Sequence, residues 1–169
     1  LEYQIQVLEL NQNIAFLSTN SMAGNSYKRV DKKIDQNISF NIISPSELIG
    51  RSNIVHSSST MRKSALIKLG GYNEQRQTLF DLDLWIRAMK SEYIFAIIPK
   101  RLVLKRMHEN QYFEKKKRIK YLFDTMVLRL RAAYFFKKNY LYFFIPLFGF
   151  FYGVIPSFIR IKLHNKSND

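Results

Sequence analysis

Apolar Leu1, Ile5 and Leu8 recur at helical spacing, with Val7 slightly out of phase, and predict a helix over residues 1–11. Asn11 and Asn13 end it, and IAFLST at 14–19 has the composition of a short buried strand. Residues 20–37 are polar, carry mixed charge and include Gly24, which predicts a surface loop. Residues 38–43 alternate weakly and predict a strand. Ser44-Pro45-Ser46-Glu47 is a helix start, with Pro in the first turn and an acid near the positive end. NIVHSSST at 53–60 predicts a strand running into a polar turn. Thr60 would cap a helix over 61–69 that stops at Gly70-Gly71. Residues 81–90 predict a further helix. Residues 93–98 and 102–107 predict two strands split by Pro99-Lys100-Arg101. Short strands alternating with helices indicate an α/β fold.

The pattern changes after about Gln111. Residues 114–138 form a long helical pattern rich in Lys and Arg. Residues 140–159 are almost wholly apolar and aromatic, interrupted by Pro146, Gly149, Gly153 and Pro156, and a basic tail follows at 160–166. The apolar stretch has about the length of one bilayer span, ~20 residues. Tyr favours the headgroup boundary, and prolines break a straight helix. A broken, interfacial or re-entrant pair of helices is therefore expected rather than a clean span. The competing expectation is a helix hairpin folded against the α/β part. The chain divides accordingly into an α/β segment, 1–111, and a basic, apolar helical segment, 112–169.

Lys and Arg outnumber Asp and Glu by 27 to 13, a net charge of +14. Such a balance suggests an anionic partner: a nucleotide-sugar phosphate, lipid headgroups or nucleic acid. Nucleic acid is disfavoured, because the basic residues concentrate beside an apolar stretch that a nucleic-acid surface does not need. The chain contains no cysteine, which excludes disulfide scaffolds, Cys metal sites and thiol catalysis. It begins without a signal-peptide pattern and without an initiator Met, so an upstream piece is expected.

The most informative run is NIVHSSSTMRKSALIKLGGYNE followed by FDLDLWIRA, between Asn53 and Ala88. Further on stands IIPKRLVLKRMHENQ, with Arg106, His108 and an amide at Asn110 or Gln111. In their order, these pieces and the opening LEYQIQVLELNQNIAFLST resemble the acceptor-side part of a family 2 glycosyltransferase, over residues 1–111. The resemblance implies a partial GT-A fold, that of the nucleotide-diphospho-sugar transferases. It implies inverting transfer of a sugar from a nucleotide-diphospho-sugar donor to a hydroxyl of a glycan or lipid-linked acceptor, in bacterial surface polysaccharide synthesis. The expected location is the cytoplasmic face of the cell membrane.

In that family the general base is an Asp in an acidic pair at a helix start, and the matching residue is Asp81. A hydroxyl is a poor nucleophile until a carboxylate takes its proton. Phe80 replaces the first acid of the pair. Without the resemblance, Asp81 is a helix N-terminal acid favoured by the helix dipole. Asp83, two residues on, faces another way on the helix and has the character of a structural residue, although it stays a substrate-side candidate. Trp85 is either core or the wall of an acceptor pocket, where an aromatic face meets a sugar ring. Arg62, Lys63 and Arg87 are candidates for offsetting diphosphate charge, against surface placement, which is favoured for Lys63. His56 and Ser57 are candidates for donor or acceptor contact, against a hydrogen-bonded buried His. His108 matches a family histidine that helps hold the divalent metal, Mg²⁺ or Mn²⁺.

The only Asp-x-Asp spacing is Asp81-Leu82-Asp83, on a predicted helix rather than at a strand end. The family's metal-binding acidic pair is therefore expected upstream, and this chain alone is expected to transfer little or no sugar. The alternative is a non-catalytic, membrane-associated remnant or binding module.

Overall fold

A computed structural model describes residues 1–24, 39–50, 54–106 and 118–156. The fold is mixed α/β. Helix α1 (Glu2–Leu10) leads into strand β1 (Ile14–Gly24). Strand β2 (Asn41–Ile42) and helix α2 (Pro45–Ile49) follow, then a 3-10 turn (His56–Ser58) and strand β3 (Thr60–Met61). Helices α3 (Lys63–Lys68) and α4 (Phe80–Lys90) precede strand β4 (Ile94–Arg106). Helices α5 (Arg118–Phe135) and α6 (Leu141–Val154) complete it. The sheet order is β2-β4-β1-β3, with β1 and β4 parallel and both outer strands antiparallel to their neighbours.

The sheet separates two cores. Bulging of β1 at Ala15 puts Ile14 and Leu17 on one face, where they meet Tyr3, Val7 and Leu8 of α1 together with Ala96 and Ile98 of β4. Phe16, Phe95 and Ile97 point to the other face. There Phe16 stacks on Phe95 at 4.4 Å, and Trp85 of α4 stands edge-on to both, at 5.7 and 5.3 Å. Aromatic pairs at these geometries add to the stabilisation from area burial alone.

Several local expectations are corrected. Helix α2 starts as the sequence indicates: Ser44 and Glu47 form a reciprocal capping box. Residues 54–55 are not a strand. Ser58 Oγ lies 2.8 Å from the Thr19 carbonyl and 2.9 Å from the Val55 carbonyl, and it accepts from Thr19 N. These hydroxyl bonds hold the segment as a turn against β1 in place of a ladder. Thr60 caps no helix. It pairs with Leu17 in β3, and α3 begins after Arg62. Strand β1 continues through Asn20–Gly24, which the polar composition predicted as loop, because β4 pairs with it along that length. Pro99 does not split β4 in two. The register steps from Thr19↔Ile98 to Asn20↔Arg101, so Pro99 and Lys100 bulge out of one continuous strand. A bulge suits proline, which has no N–H for the ladder.

Helix α5 belongs to the same core as the sheet. Leu128, Ala132 and Ala133 are buried with Trp85 and Ile49. Helix α6 returns along α5, where Phe123 meets Phe150 and the Arg118 guanidinium donates to the Gly153 carbonyl at 2.7 Å. Helix α6 runs through Pro146, giving up the single bond that residue's N–H would have made to Tyr142.

The Gly70-Gly71 turn, with φ of +74° and +71°, is fastened to α4 by one arginine. Arg87 donates from Nη1 to the Leu69 carbonyl at 2.6 Å, from Nη2 to the Gly71 carbonyl at 2.7 Å and from Nε to Asp83 Oδ2 at 2.9 Å. Arg76 completes the cluster as an ion pair, its Nε 3.3 Å from Asp83 Oδ1 but without hydrogen-bond alignment. Arg87→Met leaves a carboxylate and two carbonyls without this partner. It should lower unfolding stability by about 2 kcal/mol in urea titrations. Arg87→Lys should recover only part of that, because an ammonium cannot reproduce the planar fork. An Arg87→Met protein as stable as wild type would show that the clamp is idle.

Candidate functional site

Two helices far apart in sequence face each other across a pocket of about 180 Å³. From α4 come Asp81, Leu82 and Trp85; from α5 come Tyr121, Thr125 and Arg129; Ile54 and Leu79 complete the lining. Each set follows helical spacing. Residues 81 and 85 are one turn apart, and 121, 125 and 129 form a single stripe. The α5 stripe carries its own bond, from Thr125 Oγ1 to the Tyr121 carbonyl at 2.7 Å. Leu79 enters α4 with φ +59°, a left-handed conformation uncommon for a side chain of its size. Its burial holds it there, at the pocket wall.

Asp81 is the second residue of α4. Its Oδ1 accepts from Leu82 N at 2.8 Å. Its other oxygen, Oδ2, makes no hydrogen bond among the described residues. Two tyrosines flank the carboxylate. Burial raises the phenol pKa of Tyr72, and the charge of Asp81 raises it further. The same two causes, in the same order, raise that of Tyr121, against smaller opposing effects of Arg129 and the Thr125 hydroxyl. Burial pushes the Arg129 guanidinium below its ordinary value, partly offset by Tyr121. The Arg129 Nε is buried and has no hydrogen-bond partner among the described residues.

The remaining sequence candidates are dispersed. Trp85 is a core residue, almost fully buried, that also reaches the pocket lining. His56 sits beside the site rather than in its lining. Its Nε2 is 2.9 Å from Tyr72 Oη, and its ring meets those of Tyr72, Phe80 and Trp85. Ser57 is exposed on the 3-10 turn. Asp83 and Arg87 are engaged with each other and with the glycine turn. Arg62 donates from Nε to the Ile14 carbonyl at 2.8 Å and from Nη2 to the carbonyls of Leu8 and Asn11, tying the end of α1 to the sheet. His108, Asn110 and Gln111 lie outside the described residues.

The described residues do not fit a divalent cation. Both oxygens of Asp83 are taken by arginines, and among the described residues no three His, Asp or Glu side chains gather as ligands. Tyr121, Thr125 and Arg129 escaped the sequence reading because they fall in the basic, tail-like segment. Their spacing of four was the available signal.

The two phenols give a direct check on this geometry. Ionisation of a phenol beside a carboxylate is opposed by that charge. Asp81→Asn should therefore lower the pKa values of Tyr72 and Tyr121 toward the ordinary tyrosine value, followed by ¹³Cζ shifts in a pH titration. In the wild type, a raised pKa makes the neutral phenol a stabilising feature below about pH 10 that is lost as pH rises through the folded value. Unchanged phenol titration in Asp81→Asn would place the carboxylate away from both rings. Compared with known proteins, the chain matches no family model, no curated protein and no solved structure.

Proposed function

We propose that this chain is the acceptor-side part of an inverting glycosyltransferase of the family 2 type, built on part of a GT-A fold. In the proposed reaction the acceptor hydroxyl attacks the anomeric carbon of a nucleotide-diphospho-sugar. A new C–O bond forms there, the bond to the diphosphate breaks, and the hydroxyl proton passes to Asp81 Oδ2. The observation that carries this proposal is the position of Asp81. It lines a pocket with one oxygen held by its own helix, the other without a partner among the described residues, and the only tryptophan of the chain in the adjoining wall. A carboxylate so placed suits proton abstraction, and an aromatic wall suits a sugar ring. Donor phosphates and their metal are assigned to residues outside those described here.

Asp81→Asn at the native locus should reduce sugar transfer in isolated membranes by ~100-fold or more, with the fold unchanged by circular dichroism. Near-normal transfer would remove Asp81 from the chemistry.

We further propose that the protein works against an anionic membrane surface, with α6 lying in the interface. Among the described residues no helix is long and apolar enough to cross a membrane. The 14 residues of α6 reach about 21 Å, short of a hydrocarbon core of about 30 Å. Yet Leu141, Phe144, Ile145, Phe148, Phe151 and Tyr152 are exposed, and they fall within about a third of the helix circumference. Lys137 and Lys138 precede that face. Aromatics with flanking cations suit the headgroup boundary. The protein should float with phosphatidylglycerol-containing vesicles, and a Phe144→Ser, Phe148→Ser, Phe151→Ser variant of native circular dichroism should stay behind. Equal flotation of both proteins would rule out this face.

A further inference from the structure

Among the described residues, Arg129 Nε has no hydrogen-bond partner. The other arginines near the glycine turn and α1 each hold backbone carbonyls or a carboxylate. Arg129 instead brings a buried, unsatisfied Nε to the wall of an open pocket. A guanidinium removed from water without a full set of partners costs stability. An unsatisfied buried donor in a native fold calls for an explanation, and a ligand that supplies the acceptor is one. The polar neighbours fit a ligand of two characters. Asp81, at one wall, is an acceptor for hydroxyls. Arg129 is a donor whose planar fork matches two oxygens of a phosphate or carboxylate. Tyr121, flanked electrostatically by both, lies in the lining between α4 and α5. At about 180 Å³ the pocket is smaller than the roughly 300–1,000 Å³ of sites for drug-sized ligands, so it takes one compact unit.

We propose that the pocket between α4 and α5 receives an acceptor sugar unit that carries an oxyanion, with Arg129 binding the oxyanion and Asp81 addressing a hydroxyl of the same unit. The proposal rests on the transferase reading for the identity of the ligand as an acceptor. The oxyanion contact itself is independent of turnover. Phosphate and carboxylate share the chemistry that Arg129 recognises, and the experiment separates them.

Trp85 is the only tryptophan, so its fluorescence reports the pocket without background. The full chain is titrated with glucose 1-phosphate, glucuronate and neutral glucose. A saturable change is expected with one or both anionic sugars and not with glucose over the same range. Preference for glucose 1-phosphate assigns a phosphate, and preference for glucuronate assigns a carboxylate. Arg129→Met should weaken that binding by about tenfold or more. It should also melt at the same temperature as wild type or higher, because it removes a buried Nε–H that has no partner among the described residues. Arg129→Lys should bind with intermediate strength. Asp81→Asn, which alters the hydroxyl contact, should bind the anionic sugars more weakly yet keep the preference for them over glucose, which keeps the oxyanion contact separable from the role of Asp81 as base. No saturable response to either anion, or undiminished binding by Arg129→Met, overturns the proposal. So does an Arg129→Met protein that fails to fold, because the arginine is then a structural element.

Discussion

Two parallel strands cannot be joined by a tight turn, and this protein pairs β1 with β4 in parallel over almost their whole length. Every residue between Gly24 and Ile94 therefore belongs to the crossover. That constraint orders the rest. Helix α4 runs directly into β4, so its position is set from the sheet, and Trp85 fixes it there against Phe16 and Phe95. The start of α4, with Asp81, is placed by the same contacts. Arg87 and Asp83 then fasten the glycine turn to the helix that the sheet has positioned.

The elements that were legible in the sequence are those in which local pattern and tertiary environment agree. Helix α1, the start of α2 at Ser44-Pro45 and the apolar core of β1 are of this kind. The misplaced elements are decided by distant partners. Asn20–Gly24 is polar, yet it extends as strand because β4 offers a ladder. Ile54 and Val55 look like strand, yet Ser18 and Ser58 hold the backbone there as a turn through hydroxyl bonds. Pro99 looks like a break, and a bulge absorbs it. None of these outcomes follows from propensity alone, because each depends on what the fold sets alongside the segment.

The candidate site was half legible. Its α4 side was singled out through the resemblance of FDLDLWIRA to the acceptor-side motif, which points to Asp81 and leaves Trp85 between core and pocket wall. Its α5 side was hidden, because a segment rich in lysine and arginine next to an aromatic stretch has the composition of a membrane tail. Leu128, Ala132 and Ala133 are buried in the main core, and that burial turns α5 inward and brings Tyr121, Thr125 and Arg129 opposite α4. The basic residues are thus divided by task. Arg62, Arg87 and Arg118 each hold a backbone carbonyl, while Arg129 faces the pocket. Charge counted along the sequence cannot make that division, which depends on which carbonyls are left without helical partners.

Acceptor recognition, as proposed, takes place between α4 and α5. Chemical-shift mapping of the ¹⁵N-labelled, full-length protein against a panel of anionic and neutral oligosaccharides tests it most directly. Perturbations should concentrate at Asp81, Trp85, Tyr121, Thr125 and Arg129, on both helices together. Perturbations confined to the far ends of β1 and β4, or to Ser57 and the exposed turn around it, would contradict the account.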